Sequence, residues 1–133
     1  TFGEIPGWFS YNELYDKMVT NAPFNSTFVE VGSWFGKSTN HLIKKILESK
    51  KDIKLTTIDT FKGSESSELD KVVVDAFSGD IFYEFIENTI ISNNYDSFDI
   101  IKFSKNSGKI FLYSSIIFKI LSNSFTFQTF LKK

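Results

Sequence analysis

Short apolar runs alternate with helical stripes along the first hundred residues. From Tyr11 to Thr20, Leu14, Tyr15, Met18 and Val19 share one face at helical spacing. Ser10 and Glu13 have the spacing of a capping box ahead of that stripe, and Asn21-Ala22-Pro23 closes it because proline cannot continue the hydrogen-bond ladder. Thr27-Phe28-Val29-Glu30-Val31 is a β-branched and aromatic run that stops at Gly32 and predicts a buried strand. Lys37 to Glu48 sets Leu42, Ile43, Ile46 and Leu47 opposite Lys44, Lys45 and Glu48, the pattern of an amphipathic helix. Lys54 to Asp59 predicts a second strand. Strand, glycine turn, helix and strand within about thirty residues form a βαβ unit with parallel strands.

Two more helical patterns follow Lys62-Gly63. One points Leu69, Val72, Val73, Ala76 and Phe77 inward; the other starts near Asp80 and carries Ile81, Phe82, Phe85, Ile86 and Ile90. Phe98 to Phe103 predicts a third strand. The alternation makes this an α/β domain. With 133 residues there is room for one core, divided into an N-terminal helical cap (1–26), a βαβ core (27–104) and an atypical apolar tail (105–133).

Composition narrows the chemistry. The absence of cysteine excludes disulfides, iron–sulfur clusters and thiolate zinc sites, and the single His41 excludes a multi-histidine metal centre. His41 falls on the Lys45/Glu48 face of its helix, where a solvated surface residue is expected. All 15 basic residues are lysine and the formal net charge is −1, so no basic surface argues for a nucleic-acid partner. Trp8-Phe9 likewise lacks the basic cluster of a base-stacking platform and reads as a lid or anchor. No signal peptide is visible at Thr1-Phe2-Gly3-Glu4, so a cytoplasmic protein is the default. The charge divides abruptly: residues 1–99 hold 16 acids and 9 lysines, net −7, whereas residues 100–133 hold 6 lysines and no acid, net +6. Lys119 and the interspersed Ser, Thr, Asn and Gln argue against a membrane span in the apolar stretch from Ile110 to Leu131, which reads instead as aggregation-prone and compatible with homo-oligomers.

The chemistry concentrates in Glu30-Val31-Gly32-Ser33-Trp34-Phe35-Gly36-Lys37-Ser38-Thr39, at the place where open parallel sheets bind ligands, after a strand and at the start of a helix. Gly36-Lys37-Ser38 looks like the end of a phosphate-cradling loop. That motif needs four residues between its first glycine and the Gly-Lys pair, and Gly32 and Gly36 enclose three. The other reading is a nucleoside-binding turn, with Glu30 closing the strand and Asp59, at the next strand end, bonding ribose hydroxyls. Lys37 is then an ordinary first-turn residue, and Trp34 and Phe35 either flank the ligand or pack against the N-terminal helix.

The turn, together with Thr57-Ile58-Asp59-Thr60-Phe61-Lys62-Gly63-Ser64, resembles the class I S-adenosylmethionine-dependent methyltransferases, closest to a small subgroup reading "VEVGSWxGxST" and then "DTxxGS". Pro6-Gly7-Trp8-Phe9, Leu14-Tyr15 and Phe85 to Asn88 also look like that subgroup, so the resemblance covers about residues 5 to 100. It implies a Rossmann-like three-layer sandwich with a mostly parallel sheet, and S-adenosylmethionine as cofactor. Glu30, Gly32, Ser33 and Gly36 would surround its methionine and ribose, Ser38 would cap the helix facing the pocket, and Asp59 and Thr60 would hold the ribose and lie near the adenine. Gly79-Asp80 matches a later cofactor-contacting turn. The implied reaction is methyl transfer to a hydroxyl of a small molecule or glycan.

The tail departs from this pattern. The family expects a further strand ending in an acidic "IDGDHxY" motif; here Lys109-Ile110-Phe111-Leu112-Tyr113-Ser114-Ser115 leads on without Asp, Glu or His. The expectation is therefore a truncated or frame-shifted chain whose authentic sequence stops near residue 105, with a fold incomplete at its C-terminus and no evident catalytic base. Two rival readings stay open: a P-loop-like nucleotide-binding protein, and an inactive remnant or interaction module.

Overall fold

Strand β1 (Thr27–Val31) and strand β2 (Lys54–Asp59) pair in parallel, with Val29 opposite Thr56 and Val31 opposite Ile58. The computed structural model that shows this describes residues 5–104 and 107–114. Strand β3 (Phe98–Phe103) continues the parallel sheet, and β4 (Ile110–Ser114) adds to its far edge antiparallel, giving the order β1-β2-β3-β4. The domain is thus α/β with an open, mostly parallel four-stranded sheet. Ile110 to Ser114, expected to belong to an atypical tail, forms that last strand. Lys105, Asn106 and residues 115–133 of the expected tail, and Thr1 to Glu4, lie outside the described residues.

Helix α1 (Asn12–Asn21) packs on α2 (Lys37–Ser49), which forms the β1–β2 crossover. Helices α3 (Glu68–Asp75) and α4 (Phe82–Ile86), followed by a π-helical turn (Glu87–Ile91), form the β2–β3 crossover. Both crossovers move the chain in one direction across the sheet. Right-handed connections of that kind lay their helices on a single face. On that face Leu55, Phe98 and Ile100 join Leu42, Ile43, Ile46, Phe85 and Ile86 in the core.

Among the described residues no helix covers the opposite face. Val31 is 75% exposed and Leu112 61%, with Val29, Phe103 and Ile110 also exposed. Parallel sheets are ordinarily covered on both sides, and a contiguous apolar surface of this kind marks a place for association. The described residues form two layers of the expected three. Covering the second face needs a chain reversal past β1, and β4 goes instead to the other edge of the sheet.

Several local expectations give way to tertiary contacts. The Ser10/Glu13 capping box does not form: Tyr11 is the N-cap of α1 and no side chain caps it. Leu14 and Met18 remain exposed, and only Val19 of that stripe is buried. The carbonyls at the end of α1 are held by Lys51, whose Nζ donates to Val19 O, Thr20 O and Ala22 O at 3.0, 2.6 and 2.9 Å, a cation placed at a helix C-terminus. In α3 the expected inward set is only partly inward: Leu69 and Val72 are exposed, Val73 is half-buried against the core, and Val74, outside the expected set, is the buried residue. His41 is tucked between α1 and the N-terminal segment rather than solvated, with Nε2 2.7 Å from Asp16 Oδ1 and its ring 5.2 Å from that of Phe9.

Candidate functional site

The chain leaves β1 through Gly32 at φ +82° and enters α2 through Gly36 at φ +92°. The left-handed conformation at Gly36 turns the backbone from the strand end into α2, whose first N–H groups have no side-chain cap. A Cβ on Gly36 would overlap the Thr89 methyl and lie 3.1 Å from the Phe85 ring, so this glycine allows the turn to sit against α4 and the π-helical turn. Asn88 fastens the same approach by donating its Nδ2 to Phe35 O at 2.9 Å. Phe35 is buried in the core, ring-to-ring with Trp34 and Phe77.

Asp59 ends β2 beside this turn. Its Oδ2 accepts from Ser33 N at 2.6 Å and Trp34 N at 2.9 Å, and its Oδ1 accepts from Phe61 N at 2.8 Å. Trp34 and Phe61 have φ of 51° and 56°, a region bulky residues rarely occupy. The carboxylate therefore ties down both strained residues at once, through bonds stronger than neutral ones. A carboxylate offers about four acceptor positions; three are used, which leaves capacity for a donor from a ligand.

Glu30 behaves differently. It is buried, and its Oε1 accepts from Tyr15 Oη at 3.1 Å and Ser38 Oγ at 2.7 Å while its Oε2 accepts from the Thr39 hydroxyl. It ties α1 and the start of α2 to β1, and it does not line the cleft that Asp59 lines. Its one link to that cleft is Ser38.

That link makes Tyr15 a reporter. Burial, then the charge of Glu30 and the hydrogen bond to it, push the Tyr15 phenol from 10.0 up to about 12. A phenol that ionises later in the folded state contributes fully below its unfolded pKa, and the contribution disappears as pH rises through the folded value. Wild type and Tyr15→Phe are therefore expected to converge in stability across that window, by about 1 kcal/mol once solvent screening of the half-exposed ring is allowed for. Urea unfolding at about pH 9 and about pH 12 measures it. Parallel profiles would remove the Glu30 contact as a contributor.

The cleft measures about 930 Å3 and opens at the carboxyl ends of β1 and β2. Gly32, Ser33, Ser38 and Asp59 line its polar end, joined by Pro6, Gly7 and Trp8 from the N-terminal segment and by Leu69, Asp70 and Val73 of α3. Ser33 is almost fully buried and its Oγ has no partner among the described residues. Thr60 lies in an adjoining cavity of about 350 Å3, which shares Gly63 and Ser64 with the cleft. Gly36 lies behind the turn. Lys37 donates its Nζ to Gly7 O at 2.8 Å, strapping the N-terminal segment to the turn. Gly79-Asp80 lines neither cavity: Asp80 caps Phe82 N at 2.9 Å and pairs with Lys102.

So four of the seven expected site residues meet in one cleft. The α3 contributions had no place in the expectation; Ser67, which accepts from Asp70 N at 3.2 Å, carried the only legible signal, a helix-capping Ser three residues before an acid. Comparisons with family models, curated proteins and solved structures find no match. The fold and the cleft carry the functional argument alone. No described helix is long and apolar enough to cross a membrane, and the described residues hold no cluster of three or more His, Cys, Asp or Glu positioned for a metal.

Proposed function

We propose that this domain binds S-adenosylmethionine in the manner of the class I methyltransferases, for methyl transfer to an oxygen of a small-molecule or glycan acceptor. The supporting observation is the latch between Asp59 and the glycine turn, which sets an acid with spare acceptor capacity beside Gly32, Ser33 and Ser38 in a cleft at the strand ends. Ribose hydroxyls are donors and suit that acid. At about 930 Å3 the cleft is near the top of the range of about 300–1,000 Å3 for small-molecule sites. The cofactor, when bound, supplies an electrophilic methyl group on a sulfonium. The chain's own part is to hold the nucleoside through Asp59 and the turn and to shield the cleft with the Pro6–Trp8 segment. In this reading Glu30 and Gly36 are positioning residues, and a third sheet layer and a cytoplasmic setting belong to the same proposal.

The same geometry argues against a phosphate-cradling loop. The Ser33 and Trp34 N–H groups a β-phosphate would use are already taken by a carboxylate, whose charge repels a phosphate. Lys37 is committed to Gly7 O. Calorimetry with S-adenosylhomocysteine and with ATP-magnesium separates the readings: one equivalent of S-adenosylhomocysteine is expected to bind while ATP gives no heat. Heat from ATP alone would overturn the proposal. Silence from both, with self-association, would favour an interaction module.

A further inference from the structure

The cleft has a second, apolar end that the nucleoside reading leaves unused. Trp34 forms its floor, packed between two glycines: a Cβ on Gly7 would stand 3.1 Å from the indole Cδ1, and one on Gly63 3.2 Å from Cζ3. Both glycines have positive φ, and with no side chain on either one their backbone comes close to the two ends of the indole. Trp8, 96% exposed, stands at one side of the mouth, and Leu69, 73% exposed, stands with Val73 on α3. An amphipathic helix ordinarily turns such residues to the core, whereas α3 buries Val74, gives Leu69 to the cleft and sets Val73 between the core and the cleft.

The charged groups among these walls select the ligand further. Among the described residues Asp59 and Asp70 are the acids that line the cleft, and the one cation there, Lys37, is bonded to a carbonyl. Carboxylates only accept hydrogen bonds and repel anions. A ligand for this end is therefore uncharged, flat and apolar over most of its surface, with a hydroxyl to donate. We propose that the cleft's apolar end binds a phenolic ring, as the acceptor moiety that shares the cleft with the cofactor. This rests on the nucleoside reading only for the word acceptor; the ring site itself follows from the walls.

The chain holds two tryptophans, Trp8 and Trp34, and both line the cleft, so a nitrogen-15 spectrum shows two indole N–H signals that report on it. Titration with p-cresol is expected to move both signals along one saturable curve, with benzoate and glucose moving them far less. Loss of an exposed aliphatic contact in Leu69→Ser is expected to weaken p-cresol binding about fivefold. Indole signals that ignore p-cresol up to its solubility limit, or follow benzoate or glucose equally, would overturn the proposal. So would unchanged p-cresol affinity in the variant. The two readings fail separately. S-adenosylhomocysteine binding without a p-cresol response removes the ring site alone; a Leu69-dependent p-cresol response without S-adenosylhomocysteine binding upholds the ring site and removes the nucleoside.

Discussion

Gly36→Ala is expected to destabilise the domain by about 2–5 kcal/mol, the largest effect of any single methyl in the site. Two costs combine. A residue with a Cβ held at φ +92° gives up about 1–2 kcal/mol. The added methyl also meets the Thr89 methyl and the Phe85 ring, both in a packed interior, and overpacking costs a further 1–3 kcal/mol or so. The two costs are separable, because Thr89→Ser removes the opposing methyl and keeps the hydroxyl that donates to Phe85 O. In a double-mutant cycle read by urea unfolding, Thr89→Ser is expected to restore about 1 kcal/mol or more in the Gly36→Ala background. Strict additivity would show that the methyls do not meet. The outcome bears on function as well as stability: the same contact presses the turn against α4, and a turn that backs away takes Ser33 and Ser38 out of the cleft.

Gly36 was legible as part of a turn, but not for this reason. The parallel strands and α2 could be read directly because their apolar residues keep the strand or helix period and their ends are marked by Gly32, Gly36 and Asp59. The inward face of the segment from Ile81 to Ile90 was legible too, and those residues are buried. The face of α3 was not. Its stripe gives a period without a direction, and Leu69 and Val73 serve a cleft whose other wall lies sixty residues away in sequence. The partners of Glu30 were hidden for the same reason, since Tyr15, Ser38 and Thr39 come together only after α1 packs on α2. β4 was obscured by its composition: Ile110-Phe111-Leu112 lacks the polar alternation of a half-exposed strand, and its apolar side chains on the open face remain uncovered. Of the four expected residues that share the cleft, Gly32, Ser33 and Asp59 sit at the carboxyl ends of β1 and β2, where strand register sets their positions, and Ser38 is brought there by the turn into α2.

Asp59→Ala is expected to lose both a structural latch and a ligand contact, and the two losses can be measured apart. Removing the carboxylate leaves the Ser33, Trp34 and Phe61 N–H groups without their acceptor, two of them on residues held at positive φ. A cost of about 2–4 kcal/mol in unfolding free energy follows from the lost charge-assisted bonds, partly relieved where water reaches the turn. Asp59→Asn is the informative partner. Its amide oxygen can take the place of Oδ2 and keep the Ser33 and Trp34 bonds, but its NH2 group then faces the Phe61 N–H, donor against donor. The asparagine variant is expected to retain most of the stability, losing about 1–2 kcal/mol. Its affinity for S-adenosylhomocysteine is expected to fall about tenfold or more, as in the alanine variant, because the acceptor that vicinal hydroxyls need has gone. Calorimetry beside urea unfolding on the same preparations tests both halves. If asparagine binds the nucleoside as the native acid does, Asp59 is a latch for the turn alone, and the sugar must be held by groups elsewhere in the cleft.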